Sequence, residues 1–139
     1  MTNILMIDDD IDDQYFYHGL FSDVASDITF RGISSKDELD DFLAALKSGG
    51  VDVPRLILLD LNFPKISGKE IFKVISVNQY LKKTPVLALT TSSSPIDMKD
   101  CHDLGFSAYF VKPSEYQECK KLVRTLYDYW FEFNAINEF

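Results

Sequence analysis

The chain has 139 residues, 46% of them hydrophobic and 26% charged, with a formal net charge of -8. That length suits one domain, spanning 1–139, able to bury roughly two-thirds of its unfolded surface, and the hydrophobic share argues against bulk disorder. The negative balance speaks against a nucleic-acid partner, because phosphate backbones attract basic surfaces. Two cysteines, Cys101 and Cys119, are too few and too isolated for a disulfide framework or a zinc site, and read as buried or half-buried free thiols. No basic N-terminal segment precedes a cleavable apolar stretch and no apolar run approaches ~18 residues, so the expectation is a cytoplasmic protein without a membrane partner.

The elements alternate along the chain. Ile4-Leu5-Met6-Ile7 reads as a first strand, after which Asp10 caps a helix reaching about Val24, with Asp12 and Asp13 in its first turn. Ile28 to Gly32 makes a short second strand. Ser35-Lys36-Asp37-Glu38 is a capping box for a helix with Leu39, Phe42, Leu43 and Leu46 on one face, ended by Gly49-Gly50. Leu56 to Leu59 forms strand three, and Asn62-Phe63-Pro64-Lys65 a turn before a helix starting at Ser67-Gly68-Lys69-Glu70. Pro85 to Leu89 is strand four. Ser94-Pro95 opens a fourth helix with proline at its first position. Ala108 to Val111 is strand five, and Ser114-Glu115-Tyr116-Gln117 caps a last helix with apolar positions at 116, 119, 122, 123, 126, 127 and 130.

Strands alternating with helices predict an α/β fold: a doubly wound, five-stranded parallel sheet with right-handed crossovers and five helices. Continuous apolar runs closed by polar residues read as strands buried on both faces. In such sheets ligands bind at the carboxyl ends of the strands. Four of those ends carry Asp8-Asp9-Asp10, Asp60, Thr90-Thr91 and Lys112-Pro113, so carboxylates, a hydroxyl and an ammonium are expected at one rim. That set suits a divalent cation and a phosphoryl group.

Each piece has a plainer reading in isolation. The acidic run, with five carboxylates between Asp8 and Asp13, also fits a solvated helix entrance. An EF-hand loop beginning at Asp8 would need glycine at its sixth place and glutamate at its twelfth, which hold Asp13 and Gly19. Asp60 is followed at fixed offsets by Asn62, Pro64 and Gly68, and proline with glycine holds such a loop in one shape. Thr90 and Lys112 alone could be structural, and a cis peptide before Pro113 is expected as the turn that aims Lys112 inward. His18 and His102 stand alone in helical segments, read as surface or half-buried residues.

Together these residues resemble the receiver domains of two-component response regulators, over residues 3 to about 126. The likeness rests on Asp8-Asp9 after strand one, Asp60 after strand three, Thr90 after strand four and Lys112-Pro113 after strand five, with Tyr109 at the aromatic switch position. It implies a flavodoxin-like (βα)5 fold, Asp60 as phosphoacceptor, and Mg2+ held by Asp8, Asp9, Asp60 and the backbone carbonyl of Asn62. It further implies Thr90 and Lys112 as phosphoryl ligands, Thr90 and Tyr109 as a two-state switch, and a sensor histidine kinase or histidine phosphotransfer protein as donor. Two carboxylates ~4 Å apart repel by ~4 kcal/mol at an effective dielectric near 20, which a bound cation would relieve. Thr91 replaces the small residue usual after the switch threonine, and neither Asn62 nor Ser92 offers a general base, so slow loss of phosphate is the expectation.

Two other readings stand against this one. A haloacid-dehalogenase-type phosphatase would use Asp8 as nucleophile in Asp8-x-Asp10, but its further acidic motif would have to come from Asp128 or Glu132 inside a helix. A degenerate receiver would bind partners without phosphate, yet all five site positions carry competent residues. With no output domain in the sequence, signalling through a protein–protein contact or a relay step is expected. Residues 127–139 form an aromatic extension of the last helix with Tyr127, Tyr129, Trp130, Phe131, Phe133 and Phe139. Self-association through it, docking to a partner, and packing back on the domain are its three readings. The first is favoured because the last helix needs only one apolar stripe for its core and exposed aromatics mark interfaces, and receivers paired with phytochrome-type histidine kinases look similar.

Overall fold

The computed structural model describes residues 2–135. Along its first half run β1 (Thr2–Ile7), α1 (Ile11–Val24), β2 (Ile28–Ile33), α2 (Lys36–Ser48) and β3 (Leu56–Leu59). The second half holds α3 (Gly68–Val77), β4 (Val86–Thr90), α4 (Pro95–Leu104), β5 (Ala108–Val111) and α5 (Tyr116–Tyr127). The sheet is parallel throughout, in the order β2-β1-β3-β4-β5. This is the doubly wound α/β sheet expected from the alternation of elements, in the flavodoxin-like strand order implied by the resemblance to receiver domains.

Side chains alternate across a strand, and here the alternation sorts the core into two layers. Leu5, Ile7, Ile57, Leu59, Val86 and Ala88 face α2, α3 and α4 through residues such as Phe42, Ile71, Phe72 and Cys101. Ile4, Met6, Leu56, Leu58, Leu87 and Leu89 face α1 and α5 through Tyr17, Phe21, Cys119, Val123 and Leu126. β1, β3 and β4 are therefore apolar on both sides. β5 differs from the expectation: it is an edge strand, its first three residues half-buried and Val111 exposed, because no strand covers its outer edge.

Helix entrances follow from local chemistry. The side chains of Asp10, Ser35 and Ser67 accept from the amides of Asp13, Glu38 and Glu70. The capping box on α2 is shifted by one residue: the Glu38 carboxylate accepts from the Ser34 amide at 3.2 Å and from the Ser34 hydroxyl. Gly49 ends α2 in the left-handed region at φ 80°, where a Cβ is disfavoured. α5 begins one residue later than expected, with Glu115 at its cap and no side-chain cap bond, so Ser114 does not serve that role.

After Tyr127 the chain tightens into a π-helical turn, Asp128–Phe133, closed by the Asn134 amide donating to the Tyr129 carbonyl at 3.0 Å. The wider turn brings Trp130 and Phe131 back against the α1/α5 layer, with the Arg55 guanidinium 5.8 Å from the Phe131 ring centre. Tyr129 and Phe133 stay exposed, at 57% and 80%. Folding back and exposure thus both occur in the extension; Phe139 lies outside the described residues. No described helix is long and apolar enough to cross a membrane.

Candidate functional site

Strand register decides which polar residues meet. Ile7 pairs with Leu59, Leu59 with Ala88, and Thr90 with Val111, so the residues that follow β1, β3 and β5 emerge level with the end of β4. The rim opens between β1 and β3, where the strand order reverses and one connection runs toward β2 while the others run the opposite way. Ladder bonds continue one residue beyond each strand: the Asp8 amide donates to the Ile33 carbonyl, that of Asp60 to Ile7, and that of Lys112 to Thr90.

Lys112 is the centre of the arrangement. Its ammonium lies 2.6 Å from Asp8 Oδ2, 2.7 Å from Asp13 Oδ2 and 3.3 Å from Asp60 Oδ2. The peptide before Pro113 is trans, as are all described peptides, correcting the cis expectation. No reversal is needed: the Lys112 backbone still belongs to the β4–β5 ladder, and its side chain meets the carboxylates of Asp8, Asp13 and Asp60 from there.

Asp8 and Thr90 are fully buried and Asp60 is nearly so, while Asp9 is exposed. Burial raises the Asp8 carboxyl to about 6, working against the Lys112 ammonium and the Asp10 amide, both of which favour its charged form. Burial of Lys112 opposes its charge, yet the hydrogen bonds to Asp13 and Asp8 and the charges of Asp8 and Asp60 carry its pKa above the ordinary lysine value. Asp8, Asp9 and Asp60 each offer a carboxylate oxygen within 4.8 Å of the others. Three hard oxygen donors at one concave rim, two of them withdrawn from water, fit a divalent ion of the magnesium or manganese kind.

The loop after Asp60 holds that carboxylate in place. The Asn62 amide donates to Asp60 Oδ1 at 3.1 Å, Lys65 adopts the left-handed region at φ 69°, and Phe63 is buried in the core. Gly68 lets the loop close: a Cβ there would lie 2.5 Å from the Asp60 carbonyl oxygen and 2.6 Å from Leu61 Cα. Its amide donates to the Leu61 carbonyl at 3.0 Å.

Thr90 and Tyr109 lie on one chain of bonds that runs through Ser92. Thr90 Oγ1 accepts from the Ser92 amide at 3.3 Å, and the Tyr109 hydroxyl donates to the Ser92 carbonyl at 2.8 Å. The Ser92 hydroxyl donates to Asp97 at 2.5 Å, and Lys69 clamps Asp97 and Asp100 at 2.7 and 2.9 Å, tying α3 to α4.

Sequence reasoning missed two participants, Asp13 and Gln14, and the linking role of a third residue, Ser92. Asp13 was accounted for by the helix dipole, so nothing demanded its pairing with Lys112. Gln14, whose amide donates to the carbonyls of Asp8 and Ile33 at 2.7 and 3.0 Å, is an ordinary helix residue by pattern. Ser92 joins Thr90 to Tyr109 through its backbone amide and carbonyl, which leave no signature in residue type. Offsets of five and six from Asp8 were the available signal, since they return to the same end of α1.

Comparison with known proteins agrees with this geometry. The chain is 34% identical over 94 residues to a probable methanogenesis regulatory protein, FilR2, of Methanothrix harundinacea, covering 68% of this chain and 61% of that protein. It is 38% identical over 79 residues to the response regulator Rcp1 of Synechocystis sp., covering 57% and 54%. The chain thus spans about half to three-fifths of the length of these relatives. The Mn2+-bound crystal structure of Rcp1 superposes with a TM-score of 0.85 at 27% identity, covering 97% of this chain and 98% of that one. The phosphorylated cyanobacterial phytochrome response regulator RcpA shares the fold, with a TM-score of 0.87 at 24% identity and 96% coverage of both chains. With residues 4–124 matching the family described as "Response regulator receiver domain", the chain belongs to the response regulator receiver domains.

Proposed function

We propose that this receiver accepts a phosphoryl group on Asp60 from the phosphohistidine of a sensor histidine kinase or histidine phosphotransfer protein. The observation that carries the reading is the meeting of Asp8, Asp9 and Asp60 oxygens within 4.8 Å, with the Lys112 ammonium 3.3 Å from Asp60. Asp8, Asp9, Asp60 and the carbonyl of Asn62 would hold Mg2+, which when bound supplies positive charge against the phosphoryl oxygens. An Asp60 oxygen attacks phosphorus; an O–P bond forms, the N–P bond breaks, and the donor imidazole leaves with the electron pair. The loop through Asn62 and Gly68 orients the carboxylate, so the protein contributes positioning and electrostatics. Lys112 then pairs with the acyl phosphate, and the Thr90 hydroxyl donates to one of its oxygens.

Ser92 gives the switch a route outward. Its amide is bound to Thr90 and its carbonyl to Tyr109, so a Thr90 drawn toward phosphate shifts the loop that holds the tyrosine. The response is then read at the surface of α4, β5 and α5. The exposed Tyr129 and Phe133 support a second element of the reading, self-association through the last helix and its aromatic extension. Light-scattering mass of the intact chain against one cut after Leu126 should fall from dimer to monomer; two monomer masses would remove the dimer.

Incubation with acetyl phosphate and Mg2+ should add the mass of one phosphoryl group to the protein and none to the Asp60→Asn variant. Equal gain in both would move the acceptor elsewhere. Turnover of a phosphomonoester dependent on Asp8 would instead favour the phosphatase reading.

A further inference from the structure

The Lys112 ammonium has three hydrogens and three carboxylate partners, and the second-shortest of its bonds goes to a residue outside the phosphoryl site, Asp13. Asp13 sits in the first turn of α1, its amide bound to the Asp10 cap, and its carboxylate meets Lys112, the residue that follows β5. Its side chain is 34% exposed, whereas those of Asp8, Asp60 and Lys112 are at most 8% exposed. Of the three carboxylates, Asp13 is therefore the one that water can rehydrate most readily when the ammonium departs.

We propose that Asp13 is a positioning residue that holds Lys112 off the phosphoryl site. In the resting protein it draws the ammonium toward α1, leaving the contact with Asp60 the longest of the three. A phosphoryl group on Asp60 brings new acceptor oxygens, and Lys112 exchanges its bond to Asp13 for one of them. Asp13 thereby opposes the phosphorylated state and sets how readily Lys112 engages it. This rests on Asp60 being the phosphoacceptor.

The test is titration with beryllofluoride, a phosphoryl mimic, in saturating Mg2+. Asp13→Asn should bind it roughly fivefold more tightly than the parent, and Asp13→Glu, which keeps the charge, should stay within about twofold. In a Lys112→Ala background the gain from Asp13→Asn should be at least about threefold smaller, since no ammonium remains to be freed. Equal gains with and without Lys112, or no gain, would overturn the role of Asp13 while leaving Asp60 as acceptor. Failure of the parent protein to take up the mimic would instead overturn the phosphoacceptor reading and this inference with it. Independently of any anion, a crystal structure of the Asp13→Asn protein should place the ammonium closer to Asp60 than the present 3.3 Å. An ammonium unmoved between Asp8 and residue 13 would refute the positioning role.

Discussion

Replacing Gly68 by alanine sets two opposed effects of known size against each other. Alanine favours helix over glycine by up to about 1 kcal/mol, and position 68 is the first residue of α3, so a stabilised variant would be the naive expectation. The added methyl, however, would lie 2.5 Å from the Asp60 carbonyl oxygen, 2.6 Å from Leu61 Cα and 3.1 Å from the Asp60 carbonyl carbon, where ordinary contact begins near 3.4 Å. All three atoms are backbone, immediately beyond β3, and no side-chain rotation can relieve the overlap. Overpacking of this kind costs about 1–3 kcal/mol, so the clash should outweigh the propensity gain and leave a net loss of about 1–2 kcal/mol. With urea slopes of about 1–3 kcal/mol per molar, the unfolding midpoint should fall by roughly 0.5–1 M. Relief of the overlap pushes Asp60 outward, so Mg2+ affinity should fall in the same variant. An unfolding midpoint equal to or above that of the parent protein would refute the reasoning.

Other outcomes follow from separate parts of the molecule. Tyr109→Ala removes the bond to the Ser92 carbonyl without touching a carboxylate. It should leave phosphorylation by acetyl phosphate intact while weakening the NMR shifts that spread over α4, β5 and α5; loss of phosphorylation itself would contradict the switch assignment. Reversing a 1:99 balance between the two states takes about 5.5 kcal/mol, so even a partial loss of coupling should be visible in those shifts. Burial pushes the Cys101 thiol up to about 11, and the residue is 1% exposed. Because thiolate is the reactive form, alkylation of Cys101 at pH 8 should be slow and should accelerate on unfolding in urea. Folded Cys101 keeps its proton between its ordinary pKa near 9 and 11 while the unfolded thiol loses it, so this group's contribution to stability falls as pH rises through that window. Rapid native-state labelling of Cys101 at pH 8 would count against its burial.

Much of the fold was legible because its signals are local. Apolar runs of four or five residues, capped helices between them and Gly49 at a helix end each depend on near neighbours, and the observed elements lie within a residue or two of those expected. Asp8, Asp9, Asp60, Thr90 and Lys112 could be read as a set because each ends or follows a strand, and the carboxyl ends of parallel strands share one rim.

The departures are places where distant packing chose among locally equivalent options. β5 is half-buried because the sheet stops there, a property of strand order rather than of Ala108 to Val111. Trp130 and Phe131 turn inward while Tyr129 and Phe133 face water because the π-helical turn changes the angular step of the chain. The local composition of that segment is aromatic either way.

What residue order alone determined was the sequence of elements and the chemical inventory of the strand ends, since backbone propensity, capping and hydrophobic periodicity act over a few positions. Tertiary structure alone decided that Lys112 pairs with Asp13, that Ser92 joins Thr90 to Tyr109, and that Gly68 rests against the Asp60 backbone. Those relations span up to about a hundred positions. They arise only when close-packed layers bring separate loops within hydrogen-bonding distance, where the low dielectric and the loss of water make each partner's position matter.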